Sequence, residues 1–456
     1  SGRAPSMSSR SSSAAPAEPV AHLPGRTLLV YGALALPLAA LNLPLYVFLP
    51  TFWAGEVGLG VTAVGAALLA ARLLDTITDP LIGEWSDRTR SRLGRRRPWV
   101  IAGTPLVAIG AWALFHPGEG ATAVSLFLWS GLAYLGWTMV VLPYTAWGAE
   151  LSSDYHERTR ITTFREAFTI AGVAVGASLP ALLGGEVELG RILHWLAIGV
   201  VATLPLCLVA VLKLIPEAPP PAGEPARFWA EFRHLWANRP FRTLVAAFLL
   251  NSMANGLPAT LFLLFAEQRL EAGAATGWLL LVYFLAGVVA APVWLQVSYR
   301  IGKHRAWIVS IIWACAVFAT VPLLGPGDVG WFFLVCALSG ASLGADLALP
   351  AAMQADVVDL DRTLSGRSRT GFFFAVWSMA TKLSMALAVG IAFPILGLVG
   401  FDAQGGNDAT ALWTLALLYG VAPIPIKLAA AWLVRRFSLD AGAQADIRAR
   451  LAAQGS

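Results

Sequence analysis

Long apolar stretches, separated by short polar connections, recur along the whole chain. The length of each stretch is at least close to the roughly 20 residues that a helix needs to cross a membrane. Six precede a Pro-rich break near residue 216 and six follow it. They run at about 27–53, 60–85, 98–116, 122–149, 160–184, 190–215, 241–267, 275–299, 305–324, 330–356, 370–398 and 410–434. The pattern predicts an all-α integral membrane protein with twelve spans.

The connections differ in charge, and the cations fall in alternate ones. They are Arg88, Arg90, Arg92, Arg95, Arg96 and Arg97 after span 2, Arg158 and Arg160 after span 4, Arg300, Lys303 and Arg305 after span 8, Arg367 and Arg369 after span 10, and Arg435 and Arg436 after span 12. Connections rich in Lys and Arg face the cytoplasm. We therefore expect a multi-pass protein of the cell inner (plasma) membrane with both termini inside.

These boundaries divide the chain into five segments. A disordered cytoplasmic tail, 1–26, precedes a bundle of six helices, 27–215, and a second such bundle, 241–436, precedes a cytoplasmic tail, 437–456. The linker 216–240 begins Pro-rich and semi-rigid. Its apolar residues then follow helical spacing at Phe228, Trp229, Phe232, Leu235 and Trp236. This spacing predicts an amphipathic helix on the inner membrane face.

The two halves echo each other at corresponding places. Gly94-Arg95-Arg96-Arg97-Pro98-Trp99 after span 2 is answered by Gly302-Lys303-His304-Arg305-Ala306-Trp307 after span 8. Ala149-Glu150 near the end of span 4 is answered by Ala355-Asp356 near the end of span 10. A parallel repeat of six spans is the architecture of transporters that rock two bundles around a site near the bilayer midplane.

Ionisable residues inside span 2 are the main candidates for function. Arg72, Asp75 and Asp79 stand at i, i+3 and i+7, so they share one helix face. If Asp87 lies at the inner surface, Asp79 is roughly 12 Å deep and Asp75 roughly 18 Å, near the midplane. Such a pair can bind a proton or a small cation. The alternative is a structural ion pair of Arg72 with one aspartate.

Two further ionisable residues are predicted at depth in the second half. Lys382 in span 11, roughly 18 Å deep, can meet Asp75 or Asp79 across the interface between the halves. It is either a switch that competes with the coupling cation or a permanent neutralising partner. Asp346 in span 10 is a further buried acid, with substrate binding and structural pairing as its alternatives.

The remaining candidates are assigned to substrate binding or to gating. Arg165, beside Glu166 early in span 5, is either a substrate ligand or part of a gating salt bridge. The predicted substrate-binding set is Arg165, Trp147, Thr145, Asn42, Asn251, Asn255, Asp346 and Trp377, and the predicted gating set is Asp87, Arg88, Gly94, Arg95, Arg96, Glu150 and Arg158. The basic connection 88–97 is expected to dock on helix ends and acids.

Composition narrows the class of function. The chain of 456 residues is 57% hydrophobic and only 13% charged, far from a soluble domain. The net charge of +5 follows from the basic connections, and no nucleic-acid module is present. The three cysteines lie in apolar runs without metal spacing, and no nucleophile or phosphate motif appears. We expect neither an enzyme nor a cofactor or metal, and a monomer in the lipid bilayer.

The segment Asp75-x-x-x-Asp79-Pro80-x-x-Gly83-x-x-Ser86-Asp87-Arg88, continued by Gly94-Arg95-Arg96-Arg97-Pro98-Trp99, resembles the glycoside-pentoside-hexuronide:cation symporter family of the major facilitator superfamily. Pro143, Glu157-Arg158-Thr159-Arg160, Ala355-Asp356-Val357-Val358-Asp359 and Lys382 extend the resemblance over nearly the whole chain. It implies a major facilitator fold of two six-helix bundles.

By that resemblance, Asp75 and Asp79 look like the carboxylates used for cation coupling in the melibiose permease branch. Arg165 and Lys382 look like its span 5 arginine and span 11 lysine. Two departures matter. The sugar-binding acid of span 1 falls near Ala39 or Ala40, and the span 4 acid falls at Val141, with Thr145 in place of a tryptophan. Fewer hard oxygen ligands remain for sodium, so the sequence favours a proton.

The function expected is therefore cation-coupled symport of a small organic solute by alternating access, with a glycoside or related sugar as the first choice. The missing polar contacts also fit a more apolar cargo, because animal lysophospholipid carriers are similar to this family. An amphipathic substrate such as a lysophospholipid is the alternative. A membrane sensor with an inactive transport site is a further one.

Overall fold

The computed structural model describes residues 23–151, 155–182, 188–217, 238–365, 370–437 and 439, and the regular structure in these ranges is helical. The long helices are α1 (Gly25–Ala54, interrupted at Leu34), α2 (Val61–Arg88), α3 (Arg97–Phe115), α4 (Ala123–Glu150), α5 (Tyr155–Leu182), α6 (Leu189–Leu214), α7 (Arg239–Arg269, ending in a π-helical turn), α8 (Thr276–Ile301), α9 (Lys303–Phe318), α10 (Val329–Ser365), α11 (Thr370–Leu398) and α12 (Ala409–Val434, with a π-helical turn at Leu417–Val421). They lie where the twelve spans are predicted.

Eleven of the helices in the described ranges are long and apolar enough to cross a membrane. The other, α5, has 28 residues but carries Glu157, Arg160, Arg165 and Glu166 in its first half. It nevertheless packs inside the assembly, against α1 of its own half and α8 of the other. The chain is therefore a multi-pass membrane protein. The position of α5 depends on packing against neighbouring helices more than on the hydrophobicity of its own sequence.

Helix contacts repeat with a shift of six helices. In the first half α1 packs on α5 and α6, α2 on α4, and α3 on α4 and α6. In the second half α7 packs on α11 and α12, α8 on α10, and α9 on α10 and α12. The predicted architecture of two equivalent six-helix bundles is confirmed.

The two bundles meet along three helix pairs, α2 with α11, α5 with α8, and α1 with α7. Small residues permit the closest of these contacts. A Cβ atom at Gly65 of α2 would lie 2.6 Å from the Cβ of Phe393, and one at Gly390 of α11 would lie 2.7 Å from Leu69. Gly65 and Gly390 therefore let the backbones of α2 and α11 approach.

The two ends of the assembly differ. At the end that carries the connection between α1 and α2, here called the α1–α2 end, Gln404 of the second half donates through Nε2 to the carbonyl of Gly55 in the first, at 3.0 Å. The opposite end carries the basic connection 88–97 and is called the basic end. The two halves are thus held together at the α1–α2 end by polar contact as well as by packing.

The predicted amphipathic helix at 228–236 lies outside the described residues, as does most of the linker and of both tails. At the boundaries that are described, α1 begins at Gly25, two residues inside the predicted tail, and the linker is described up to Glu217. The five-segment division otherwise stays a prediction.

Candidate functional site

The ammonium of Lys382 joins the two halves at the α2–α11 contact. Its Nζ donates to Asp75 Oδ1 at 2.9 Å, to Asp79 Oδ1 at 2.6 Å and to Thr138 Oγ1 at 3.0 Å. An ammonium has three N–H donors and no acceptor, so all three are used. Lys382 therefore occupies the point at which oxygens from α2 and α4 converge.

Helix geometry brings those oxygens together. Asp75 and Asp79 are four residues apart on α2 and point from one face, and they are only 3% and 4% exposed. Thr138 of α4 lies within hydrogen-bond distance of both, its Oγ1 being 2.7 Å from Asp79 Oδ1 and 3.1 Å from Asp75 Oδ1. Asp79 Oδ2 is buried and has no hydrogen-bond partner among the described residues.

Arg72 is held mainly by aromatic rings. Its guanidinium carbon lies 3.6 Å from the centroid of the Tyr134 ring and 4.2 Å from that of Tyr46, so α4 and α1 enclose it from two sides. Its nearest carboxylate oxygen is Asp75 Oδ2 at 3.5 Å. Two cations and two carboxylates thus share the site, and their formal charges cancel.

Three side chains of this site were not predicted. Thr138, Tyr46 and Tyr134 are uncharged residues in apolar spans, where no local pattern separates them from lipid-facing or core positions. Thr138 lies three residues before Val141, the position to which the resemblance assigned the missing span 4 acid, and so on the same helix face. A search for any oxygen on that face would have found it.

A second buried polar cluster lies wholly in the second half, around Asp346. Asn251 and Asn255 donate their side-chain amides to its Oδ1 and Oδ2, at 2.9 and 2.8 Å. Trp307 donates its indole N–H to Oδ1 at 2.8 Å. The Nζ of Lys427 is 3.0 Å from Asn251 Oδ1 and 3.9 Å from Asp346 Oδ2. Three predicted substrate ligands, Asn251, Asn255 and Asp346, are therefore hydrogen-bonded to one another.

The sequence interpretation missed two residues of this cluster, Trp307 and Lys427. Lys427 is fully buried in α12. The signal was present, because a lysine inside an apolar span is rare enough to count as a candidate on that ground alone.

The other predicted substrate ligands are dispersed. Trp147 is fully buried and donates its indole N–H to the carbonyl of Pro216 at 2.8 Å, so it does not face a cavity as predicted. Trp377 is half-buried and stacks on Phe248, with ring centroids 3.8 Å apart. Asn42 is half-buried and Thr145 is exposed.

Arg165 lies in the charged first half of α5. Its guanidinium pairs with the carboxylate of its neighbour Glu166, and its side chain is 20% exposed. The pair leaves a partly exposed cation on a helix that contacts both halves.

The predicted gating residues form a network at the basic end. Arg96 binds Asp87 Oδ1 at 2.6 Å and Glu150 Oε1 at 2.7 Å, and Arg95 binds the same oxygen of Glu150 at 2.6 Å. Burial acts to lower the pKa of Arg96, but the hydrogen bond to Glu150 and the charge of Asp87 raise it more, so the pKa lies above its ordinary value. Arg96 is therefore charged at any cellular pH.

The remaining gating residues vary in their placement. Arg88 pairs with Glu84 one turn earlier on α2, at 2.7 Å. Gly94 adopts a φ of 100°, which only glycine adopts readily, in the turn before α3. The side chain of Arg158 lies outside the described part of the chain.

The same ion pair recurs in the second half. Gly302, with a φ of 90°, precedes Lys303, whose Nζ binds Asp356 Oδ2 at 2.6 Å. Glycine, cation and acid thus occupy equivalent places in both bundles, as the sequence echoes indicate. Each bundle fixes its basic connection to an acid of its own fourth helix.

The start of the linker is bound to the first half. Glu217 Oε1 accepts hydrogen bonds from the backbone N–H groups of Arg95 and Arg96, at 2.6 and 2.7 Å. These N–H groups immediately precede α3, whose N-terminus favours a carboxylate. Glu217 therefore fixes the linker at the basic end.

Within the described ranges, no group of three or more His, Cys, Asp or Glu side chains is arranged to hold a metal ion. The oxygens around Lys382 come from only two carboxylates and a hydroxyl. They suit an alkali-metal ion, a proton or, as observed, an ammonium, because each is satisfied by few anionic ligands. The geometry supports cation exchange at this point.

The family model described as MFS/sugar transport protein matches residues 30–441. An uncharacterised symporter of Synechocystis is 25% identical, over 94% of this chain and 96% of its own. The sodium-dependent lysophosphatidylcholine symporter 1 of Mus musculus is also 25% identical, over 82% of this chain and 78% of its own.

Among solved structures, a bacterial homologue of the human lysosomal transporter Spinster, in an inward-facing and unoccupied conformation, matches with a TM-score of 0.66. The match covers 90% of this chain and 96% of that one, at 13% identity. At that identity the likeness concerns the fold.

Proposed function

Because the chain belongs to the MFS/sugar transport protein family, we propose that it is a secondary active transporter that couples an organic solute to a cation by alternating access. The observation that carries the proposal is the bond of Lys382 in one bundle to Asp75, Asp79 and Thr138 in the other. A site between two bundles is where a bound ion can bias their relative position.

In the proposed cycle, Lys382 and the coupling cation compete for the same oxygens. With Lys382 bound, the four charges of the site cancel, and a further cation would leave an uncompensated positive charge in a buried region. An incoming cation therefore displaces the ammonium from Asp75 and Asp79. Because Lys382 belongs to α11 and the aspartates to α2, displacement breaks a contact between the halves and frees them to move.

We propose sodium as the coupling cation in preference to the proton. The sequence favours the proton because span 4 lacks an acid, but Thr138 supplies an α4 oxygen to the same point. Asp79 Oδ2, buried and unpartnered among the described residues, offers a further ligand. The sodium dependence of the lysophosphatidylcholine relative supports the same choice. Proton coupling is the other outcome of the test below.

We propose an amphipathic, phosphate-bearing lipid as the solute, in preference to a sugar. A sugar needs a hydrogen-bond partner for each hydroxyl that leaves water. Asn251, Asn255 and Asp346, three of the predicted ligands, are already hydrogen-bonded to one another. Arg165 is paired with Glu166 but remains partly exposed, and a guanidinium is well suited to a phosphate. The lysophosphatidylcholine relative supports this class of cargo.

The proposed orientation puts the basic end and both termini in the cytoplasm, in the cell inner membrane, with the protein a monomer. The Arg-rich connection 88–97 and the cations after α8 support this orientation. The Asp87, Glu150 and Lys303–Asp356 contacts then belong to the cytoplasmic ends of the two bundles.

The test is uptake into liposomes that contain the purified protein. Lysophosphatidylcholine, a galactoside and a glucuronide are each offered under an inward sodium gradient and, separately, under an inward proton gradient. The proposal expects concentrative uptake of the lysolipid under the sodium gradient. Sugar uptake coupled to alkalinisation of the medium would establish the sugar–proton alternative instead, and no flux with any combination would identify a sensor.

A further inference from the structure

A cavity of about 460 Å³ lies between the two halves at the α1–α2 end. Its walls come from α1 and α6 of the first half, and from α7, α8 and the connection between α11 and α12 of the second. Ala403 in that connection follows Lys382 by more than four helical turns, so this wall of the cavity lies roughly 24 Å from the coupling lysine. None of the residues that bind Lys382 lines the cavity.

The charged groups that line this cavity are all acidic. They are Glu56, Glu188 and Glu267, and no Lys, Arg or His is among the described residues of its wall. Both carboxylate oxygens of Glu56 accept backbone N–H groups at the start of α6, from Leu189 at 2.7 Å and Gly190 at 2.9 Å. The backbone carbonyl of Glu188 accepts the N–H groups of Arg191 and Ile192. The side-chain carboxylates of Glu188 and Glu267 form no hydrogen bond or ion pair within the described ranges. The described wall of the cavity therefore presents acids and no cation.

Two hydroxyl groups in the same wall lack partners. Thr51 of α1 and Thr276 of α8 line the cavity from opposite halves, and they are only 6% and 9% exposed. Neither Oγ1 has a hydrogen-bond partner in the part of the chain that is described. A buried hydroxyl without a partner destabilises the protein, so a ligand that bonds to it recovers free energy.

The rest of the wall selects the chemical class of ligand. The carboxylates are not close enough together to hold a metal ion directly. Between them lie the apolar side chains of Phe48, Ile192 and Leu280. A ligand that matches both features has a positive charge on an apolar body. We propose that this cavity binds an organic cation of the quaternary or alkylated ammonium class.

Such a ligand would contact both halves at once. Binding would therefore stabilise the arrangement in which the α1–α2 end is closed, in which the cavity has its present shape. The ammonium is then a ligand that slows the transport cycle without competing at Lys382. This consequence does not depend on which solute the central site carries.

The first test compares choline with its neutral isostere 3,3-dimethylbutan-1-ol in thermal unfolding of the full-length protein. Choline is expected to raise the melting temperature saturably, and the neutral analogue is not. Glu267→Gln is expected to weaken the apparent choline affinity by about fivefold or more, the loss of one partly exposed charge pair. Glu119→Gln, an exposed acid outside the cavity, is the matched control and should leave the affinity unchanged.

The second variant is Thr51→Val, which removes the hydroxyl and preserves the shape of the side chain. It is expected to leave the unliganded protein as stable as before or more so, because an unsatisfied group is gone, and yet to weaken choline binding. If Thr51 had only a structural role, its replacement would not weaken choline binding while the unliganded protein kept its stability.

Two further binding measurements identify the source of the cation and the cavity as the place where it binds. Lysophosphatidylcholine that binds with the same dependence on Glu267 would show that the ammonium is a lipid headgroup. In Asp75→Asn the choline effect should persist, since Asp75 does not line the cavity. Equal effects of choline and its neutral isostere, or unchanged choline affinity in Glu267→Gln, would overturn the proposal.

Discussion

Charge balance is the feature of individual residues that organises the coupling site. Lys382 and Arg72 offset Asp75 and Asp79 in a region where an unpaired charge costs several kcal/mol. The two cations are held differently, since Arg72 lies between tyrosine rings and Lys382 has only its three hydrogen bonds. Lys382 is therefore the cation that exchange can displace.

Thr138 provides a test that does not alter a charge. Thr138→Val removes the α4 oxygen, and we expect the half-saturating sodium concentration of uptake to rise about tenfold, the equivalent of ~1.4 kcal/mol. Thr138→Ser keeps the oxygen and should behave like the unaltered protein. Sodium titration of lysolipid uptake is the measurement.

The matched control for this change is Thr104→Val. Thr104 is also a buried threonine in an apolar helix, but its hydroxyl bonds the carbonyl of Val100 in its own helix, at 2.8 Å. Its replacement should leave the sodium titration unchanged. If Thr138→Val also leaves it unchanged, Thr138 is not a ligand of the coupling cation.

At the residue scale, the sequence was informative where charge was involved. Depth along two helices was enough to predict that Lys382 can reach Asp75 or Asp79, and the structure has both contacts. Thr138 and the two tyrosines around Arg72 carry no comparable signal, because their role depends on which helices are neighbours. The same limit applies to Trp147, whose partner Pro216 comes from the linker.

Among helix pairs, α2 and α11 form the contact on which the proposed exchange of ions would act. Gly65→Ala places a methyl group against the Cβ of Phe393, and we expect a loss of about 1–3 kcal/mol of stability from overpacking. Thermal or denaturant unfolding in detergent is the measurement. Uptake should fall with it, since the halves can no longer approach.

Gly83→Ala is the matched control on the same helix. No atom lies within 4 Å of the position that its Cβ would take. Alanine favours a helix over glycine by up to about 1 kcal/mol, so this variant should be neutral or more stable. A Gly65→Ala protein as stable as Gly83→Ala would contradict the close packing of α2 on α11.

Helix positions could be predicted from hydropathy because a membrane-spanning helix requires an apolar run of about 20 residues, which is longer than the apolar runs of most soluble helices. The sequence echoes also predicted an equivalence that the structure expresses as two ion pairs, Arg95–Glu150 and Lys303–Asp356. Hydropathy does less well for α5, which is charged in its first half and is placed by its neighbours. The end of α10 at Ser365, nine residues beyond prediction, lies past the apolar run.

For the whole molecule, the proposed orientation can be tested with single cysteines. Ser91→Cys lies in the basic connection and Glu119→Cys in the connection between α3 and α4, at the opposite end. A membrane-impermeant maleimide should label Glu119→Cys in intact cells, and Ser91→Cys only in inverted vesicles. Labelling of the unaltered protein gives the background from its own cysteines, Cys207, Cys315 and Cys336, which lie within helices. The reverse pattern would contradict the orientation.

Coupling itself is tested most directly by Asp75→Asn, which removes one negative charge from the site and preserves its shape. In liposomes, the account predicts that this variant still exchanges labelled for unlabelled lysophosphatidylcholine across the membrane. It also predicts that the variant no longer accumulates the lysolipid under an inward sodium gradient, whereas the unaltered protein does. Accumulation by Asp75→Asn to the level of the unaltered protein would contradict the assignment of the coupling site.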